Sequence, residues 1–275
     1  MFYPWLDREG WVRAYALLGG VPHYHALVGE GWGIDDIIRR LFLEPGAPLR
    51  DEAIFLLREE FRDYTTYYSI LRAMAQGATG PSEITNITGI PRQHVGKYLH
   101  VLEQLGLIER ERVLFTRRGI YRIRDRVLST WFRLIEPVIT SGITDPTEAL
   151  RLVKGKLEMH VAEAFEEVAR KYVESLLARG LIRYDELGRF MYKGVEVDLV
   201  AIDHANRFAH LFEVKWSDLS ENDVRRIIRE LEVKARRIPL EGYEYRFHVI
   251  SRRYEGPKPT NADVVTISDM PFMTK

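Results

Sequence analysis

Apolar residues recur at helical spacing over the first 65 positions. Trp11, Tyr15, Leu17 and Leu18 precede Gly19-Gly20-Val21-Pro22, and Ile34, Ile37, Ile38, Leu41 and Phe42 follow it, with a further helix expected over Asp51 to Phe61. From Tyr67 the pattern shortens. Ile70, Leu71, Met74 and Ala75 make an amphipathic helix ending at Gly77, Pro81-Ser82-Glu83-Ile84 opens a second, and Thr88-Gly89-Ile90-Pro91 closes it. Pro91 starts a third, whose Val95, Tyr98, Leu99, Leu102 and Leu105 form an apolar stripe. Strand-like Leu107 to Arg110, Val113 to Phe115 and Tyr121 to Ile123 come next, so the expected unit is a winged helix-turn-helix.

Further on, Val161, Ala164, Phe165, Val168, Ala169, Tyr172 and Leu176 lie close to one face of a helix predicted over Leu157 to Leu177. The period then changes to two. Short strands are expected near Leu181 to Tyr184, around Glu196-Val197-Asp198 and around Glu213-Val214-Lys215. A helix carrying Ile227, Ile228, Leu231 and Ala235 and a strand over Tyr245 to Ile250 complete the pattern. The chain therefore reads as α+β. An N-terminal helical segment (1–65) and a winged helix-turn-helix (66–135) precede an α/β domain (147–275).

Chemistry concentrates in the two central strands. Alternation puts Glu196 and Asp198 on one face and Glu213 and Lys215 on one face. The polar segment Asp203 to Arg207 is turn-prone, so the strands fold back as a hairpin and the two acidic faces meet. Carboxylate oxygens beside an ammonium suit phosphodiester hydrolysis. They can hold Mg²⁺ while the lysine orients water and offsets developing negative charge.

Charge sharpens the middle of the chain. The formal net charge is zero, but residues 66–146 carry 11 basic and 7 acidic side chains. Arg92, Gln93, His94 and Lys97 on the third helix, with Arg110, Arg112, Arg117 and Arg118 on the wing, are the expected DNA contacts. A protein-interaction role is the alternative for this module. Cysteine is absent, which excludes thiolate zinc sites and disulfides, and no apolar run approaches the roughly twenty residues of a membrane span. A cytoplasmic location without membrane contact is the expectation. His160, His204 and His210 are too scattered to suggest a histidine metal site.

The pattern Asp198, Glu213-Val214-Lys215 resembles the PD-(D/E)xK nuclease superfamily, which has the fold of restriction endonucleases. The resemblance implies Asp198 and Glu213 as ligands of Mg²⁺ or Mn²⁺, and Lys215 as the catalytic lysine. Glu166 is implied as a further ligand from the preceding helix, with Glu163 and Glu167 as alternatives. Val197 stands where the family usually has proline.

A broader likeness joins Leu18-Gly19-Gly20-Val21-Pro22-His23-Tyr24, Leu41-Phe42-Leu43-Glu44-Pro45, Leu105-Gly106-Leu107-Ile108-Glu109 and Trp131-Phe132-Arg133. Together these are similar to the C-terminal part of archaeal AAA-type ATPases, in which a winged helix and a nuclease-like domain follow the ATPase domain. No Gly-x-x-x-x-Gly-Lys-Ser/Thr occurs in this chain, so ATP hydrolysis is not expected of it. The expected function is DNA binding with Mg²⁺-dependent cleavage. The alternative is a non-catalytic DNA-binding regulator or scaffold that partners an ATPase domain or subunit.

Overall fold

A computed structural model describes residues 3–117 and 119–271. The chain divides into two compact units, one of Met1–Glu111 with Gly119–Val161 and one of Arg112–Arg118 with Ala162–Lys275.

The first unit opens with α1 (Arg8–Leu18), α2 (Pro22–Ala26) and α3 (Ile34–Ile38), the last continued by a π-helical turn over Arg39–Leu43. At the start of α1 the Asp7 carboxylate accepts from the Gly10 amide at 2.7 Å, which satisfies one of the amides a helix leaves open. At the end of α1 the hydroxyl of Thr130 donates to the Leu17 carbonyl at 2.9 Å, and His160 Nε2 donates to the Ala16 carbonyl at 2.9 Å. Burial and the neighbouring Arg133 push the His160 pKa down to about 3, so the ring stays neutral and serves as a structural donor.

Next come α4 (Glu52–Glu60), α5 (Tyr64–Ala75), α6 (Pro81–Thr88) and α7 (Arg92–Gln104). Helix α6 stops because Gly89 takes φ +72°, a left-handed cap that costs glycine nothing. Ile70, Leu71, Met74, Ile84, Val95, Leu99 and Leu102 are buried where these helices meet. The expected stripe of α7 is narrower in fact: Tyr98 is half-buried, and Leu105 is exposed at the helix exit. Strands β1 (Ile108–Arg112) and β2 (Gly119–Ile123) then pair as a two-stranded sheet, and the Tyr121 amide donates to Thr79 O at 2.8 Å. The unit closes with α8 (Arg126–Thr130), a π-helical turn over Trp131–Ile135, α9 (Glu136–Thr140) and the first half of α10 (Pro146–Ala178).

The second unit is a five-stranded mixed sheet. Its strands are β3 (Glu186–Tyr192), β4 (Val195–Asp203), β5 (Phe208–Ser220), β6 (Glu244–Glu255) and β7 (Ala262–Thr266), adjacent in that order. The pairs β3–β4 and β4–β5 are antiparallel, whereas β5–β6 and β6–β7 are parallel. Helix α11 (Glu221–Ala235) makes the crossover from β5 to β6. It starts from a Ser220 cap and buries Val224, Ile227, Ile228 and Leu231 against Val200, Ala209 and Leu211 of the sheet. The β4–β5 turn falls where the polar segment predicts it. Asp203 accepts from the amide and the side chain of Asn206, at 3.0 and 2.6 Å, and Arg207 takes φ +51°.

Two expectations about strands are corrected. The first strand of the sheet starts at Glu186, not in Leu181 to Tyr184. Gly180 turns left-handed at φ +68° and the Leu181 amide bonds back to Leu176 O at 2.9 Å, so Leu181 closes α10 instead. Val113 to Phe115 do not form a wing strand. Val113 bridges to Arg189 beside β3, Leu114 N donates to Arg189 O at 2.8 Å, and the Phe115 ring lies edge-on to Phe190. Val113 and Leu114 are buried there while Phe115 stays exposed, and the β3 edge gains a partner. Among the described residues no helix is long and apolar enough to cross a membrane.

Candidate active site

The site grows out of a fault in the sheet. Between the pairs Gly188↔Val200 and Phe190↔Val197, the single residue Arg189 of β3 opposes both Asp198 and Leu199 of β4, which makes a bulge. The β4–β5 ladder stops at Leu199↔Phe212. The Val214 amide of β5 then finds its acceptor in the Asp198 carboxylate, at 2.8 Å, so a side chain replaces the missing backbone rung. A second bulge follows on β5, where Trp216 and Ser217 oppose Arg252 between the pairs Lys215↔Ser251 and Asp218↔Arg253.

Glu213 and Lys215 share a face of β5, as alternation requires. The Lys215 ammonium donates to Glu213 Oε1 at 2.8 Å, and Lys234 of α11 donates to Glu213 Oε2, also at 2.8 Å. Helix α10 supplies Glu166. Its neighbour Phe165 packs edge-on against Trp216 with ring centroids 5.1 Å apart, so Trp216 takes part in the packing between α10 and the sheet. The guanidinium of Arg189 donates to both Glu166 and Glu196 and lies 3.5 Å from Asp198 Oδ1. Its side chain is only 4% exposed. Four carboxylates, Glu166, Glu196, Asp198 and Glu213, thus share the cations Arg189, Lys215 and Lys234.

Burial raises the Asp198 pKa to about 6, helped by the negative charge of Glu213 and opposed by the Val214 amide and Lys215. For Lys215, burial pulls downward, but the bond to Glu213 and the charges of Asp198 and Glu166 outweigh it, and the net shift is upward. Lys215 is therefore an ammonium at neutral pH, able to donate to water or to an anionic oxygen but not to accept a proton. The donors suit a hard divalent cation in kind, since all are carboxylate oxygens. Most are already engaged, however. Among the described residues, no three His, Asp or Glu side chains stand in a metal-ligating arrangement.

The structure brings together Glu166, Asp198, Glu213 and Lys215, with Glu196 alongside. Of the alternatives to Glu166, Glu167 pairs with Lys171 along its own helix at 2.8 Å. Arg189 and Lys234 are cluster members that sequence reasoning missed. Lys234 had a signal: it lies seven residues after Ile227 and three after Leu231, on the stripe that α11 buries. The histidines act separately. His160 bonds Ala16, His204 Nδ1 lies 2.9 Å from the Tyr243 hydroxyl, and His210 Nδ1 lies 2.8 Å from His248 Nε2.

In the first unit, Arg92, Gln93, His94 and Lys97 are all exposed on the outer face of α7. Arg110 and Arg117 are also exposed, Arg112 pairs with Glu186 at 3.1 Å, and Arg118 lies outside the described residues. Arg122 is held at 2.9 Å by Glu111 within the hairpin.

Two comparisons bear on the chain. Residues 131–227 match the DUF234 family, described as archaeal and bacterial proteins of unknown function; the match takes in every cluster residue except Lys234. An uncharacterised protein of the archaeon Methanocaldococcus jannaschii is 31% identical over 265 residues. That alignment covers 92% of this chain, and the chain spans 58% of the length of that relative.

Proposed function

We propose that the chain binds DNA through its helix-turn-helix unit and cleaves phosphodiesters at the Asp198–Glu213–Lys215 cluster. The observation that carries this reading is the convergence of Glu166, Asp198, Glu213 and Lys215, from one helix and two strands, at a point where the β4–β5 ladder ends. Its architecture supports the reading. A mixed sheet with the order antiparallel, antiparallel, parallel, parallel and a crossover helix after the lysine strand suits a restriction-endonuclease-like domain. Helices α5 to α7 with the β1–β2 hairpin suit a winged helix, whose exposed α7 face would meet phosphates and base edges.

Asp198 and Glu213, with Glu166, would hold Mg²⁺ or Mn²⁺, and the bound ion supplies Lewis-acid polarisation of a phosphoryl oxygen and a water of lowered pKa. Lys215, kept charged by Glu213, faces the negative charge that builds during in-line attack and donates to the attacking water or to a non-bridging oxygen. Asp198 must be ionised to act. In the metal-free chain its raised pKa places that ionisation near pH 6, and a cation bound to the carboxylate favours the ionised form further.

The test is incubation with labelled single-stranded, duplex and branched DNA in Mg²⁺ or Mn²⁺, beside Asp198→Ala and Lys215→Ala. Metal-dependent cleavage that falls by at least about 100-fold in both variants supports the reading. Cleavage that persists in both overturns it. A second reading rests on the three cations already bonded inside the cluster: a DNA-binding regulator without catalysis, working with an ATPase domain or subunit. It expects DNA binding with no cleavage in any metal.

A further inference from the structure

Arg189 is the most deeply buried cation of the cluster and takes no part in the chemistry proposed above. Its backbone is held by the segment beside β3. Its carbonyl accepts from the Leu114 amide at 2.8 Å, Val113 bridges to it, and it lies between Gly188 and the buried Phe190. Its side chain faces the β4 bulge, and the extra residue there gives the guanidinium room between Glu166, Glu196 and Asp198.

A guanidinium does not lose its proton at any pH a protein survives, so this charge stays in the cluster unless the side chain itself moves. A divalent cation bound by Asp198 and Glu166 would have to share the same carboxylates, and like charges that close repel strongly in a buried setting. We propose that Arg189 is a built-in counter-cation that stands in for the metal in the free chain, competes with it for Glu166 and Asp198, and is displaced from Glu166 when the metal binds. The proposal rests on the reading of the cluster as a metal site. It makes Arg189 a positioning residue that sets how tightly and when the site loads.

Its test is calorimetric titration of Mn²⁺ into the full chain as wild type, Arg189→Met and Arg189→Lys. Methionine keeps most of the volume without the charge, and lysine keeps the charge without the fork. Competition predicts Mn²⁺ binding at least about tenfold tighter in Arg189→Met, with Arg189→Lys within about threefold of wild type. Equal or weaker binding in Arg189→Met than in wild type overturns the proposal and leaves the metal site standing. No Mn²⁺ binding in either wild type or Arg189→Met refutes the metal reading itself, and this proposal with it. Should Arg189→Met not fold, the wild-type chain decides alone. With ¹⁵N-arginine labelling, the Nε–H signal of Arg189 shifts when Mg²⁺ is added if Glu166 is released. A signal unchanged at saturating Mg²⁺ overturns the proposal.

Discussion

Asp198 shows how one side chain trades stability against chemistry. Its carboxyl titrates near pH 6 in the folded chain, above its ordinary value of 3.8, because it is buried beside Glu213. The folded state therefore holds a proton that the unfolded chain has released. This group favours folding most below about pH 4, and that contribution is lost as pH rises to about 6. Asp198→Asn keeps an oxygen to accept from Val214 N and removes the buried charge. It should stabilise the chain by about 1–2 kcal/mol above pH 6, with no gain at pH 4, in thermal unfolding followed across pH. A variant less stable than wild type at pH 7.5 would refute the burial argument. Asp198, Glu213 and Lys215 were legible because strand alternation alone puts residues two apart on one face. Arg189 was not, since its importance depends on a bulge that displaces β4 by one residue, and nothing local in Gly188-Arg189-Phe190 announces that.

At the scale of elements, legibility followed the strength of local signals. The β4–β5 turn and the part of α10 from Leu157 onward were readable, one through the Asp203–Asn206 bonds and the other through sustained helical spacing, whereas the expected helix omitted the stretch of α10 from Pro146 to Lys156. The first sheet strand was misplaced by a few residues because Gly180 and Leu181 serve the helix end. Val113 to Phe115 were misassigned because the β3 residues they meet lie over 70 residues away in sequence. That contact is testable. A Cβ on Gly188 would come within 2.9 Å of the Arg112 carbonyl and 3.1 Å of Leu114, so Gly188→Ala should cost about 1–3 kcal/mol in urea unfolding. The Ser220 cap of α11, whose hydroxyl accepts from the Asp223 amide at 3.3 Å, is worth less. Ser220→Ala should cost about 1 kcal/mol in the same measurement. A loss of helix α11 order on that change alone would mean that the cap, rather than the buried stripe, holds the crossover.

For the whole molecule, a net charge of zero conceals a basic middle segment, and binding follows the local patch rather than the sum. If the exposed face of α7 meets phosphates, the double change Arg92→Ala with Lys97→Ala should weaken duplex binding about tenfold at moderate salt. The slope of log affinity against log salt should also fall by about two, measured by fluorescence anisotropy. An unchanged slope would place any DNA contact elsewhere. The central claim, that the cluster on β4 and β5 cleaves phosphodiesters, meets its most direct test in the pH dependence of single-turnover cleavage of labelled DNA in Mn²⁺. With Mn²⁺ kept below saturation, so that the rate follows the metal-free carboxyl of Asp198, the rate rises about tenfold per pH unit up to about pH 6 and is level above it, and Lys215→Ala abolishes it throughout. No metal-dependent cleavage at any pH, or an equal profile in Lys215→Ala, would contradict the account.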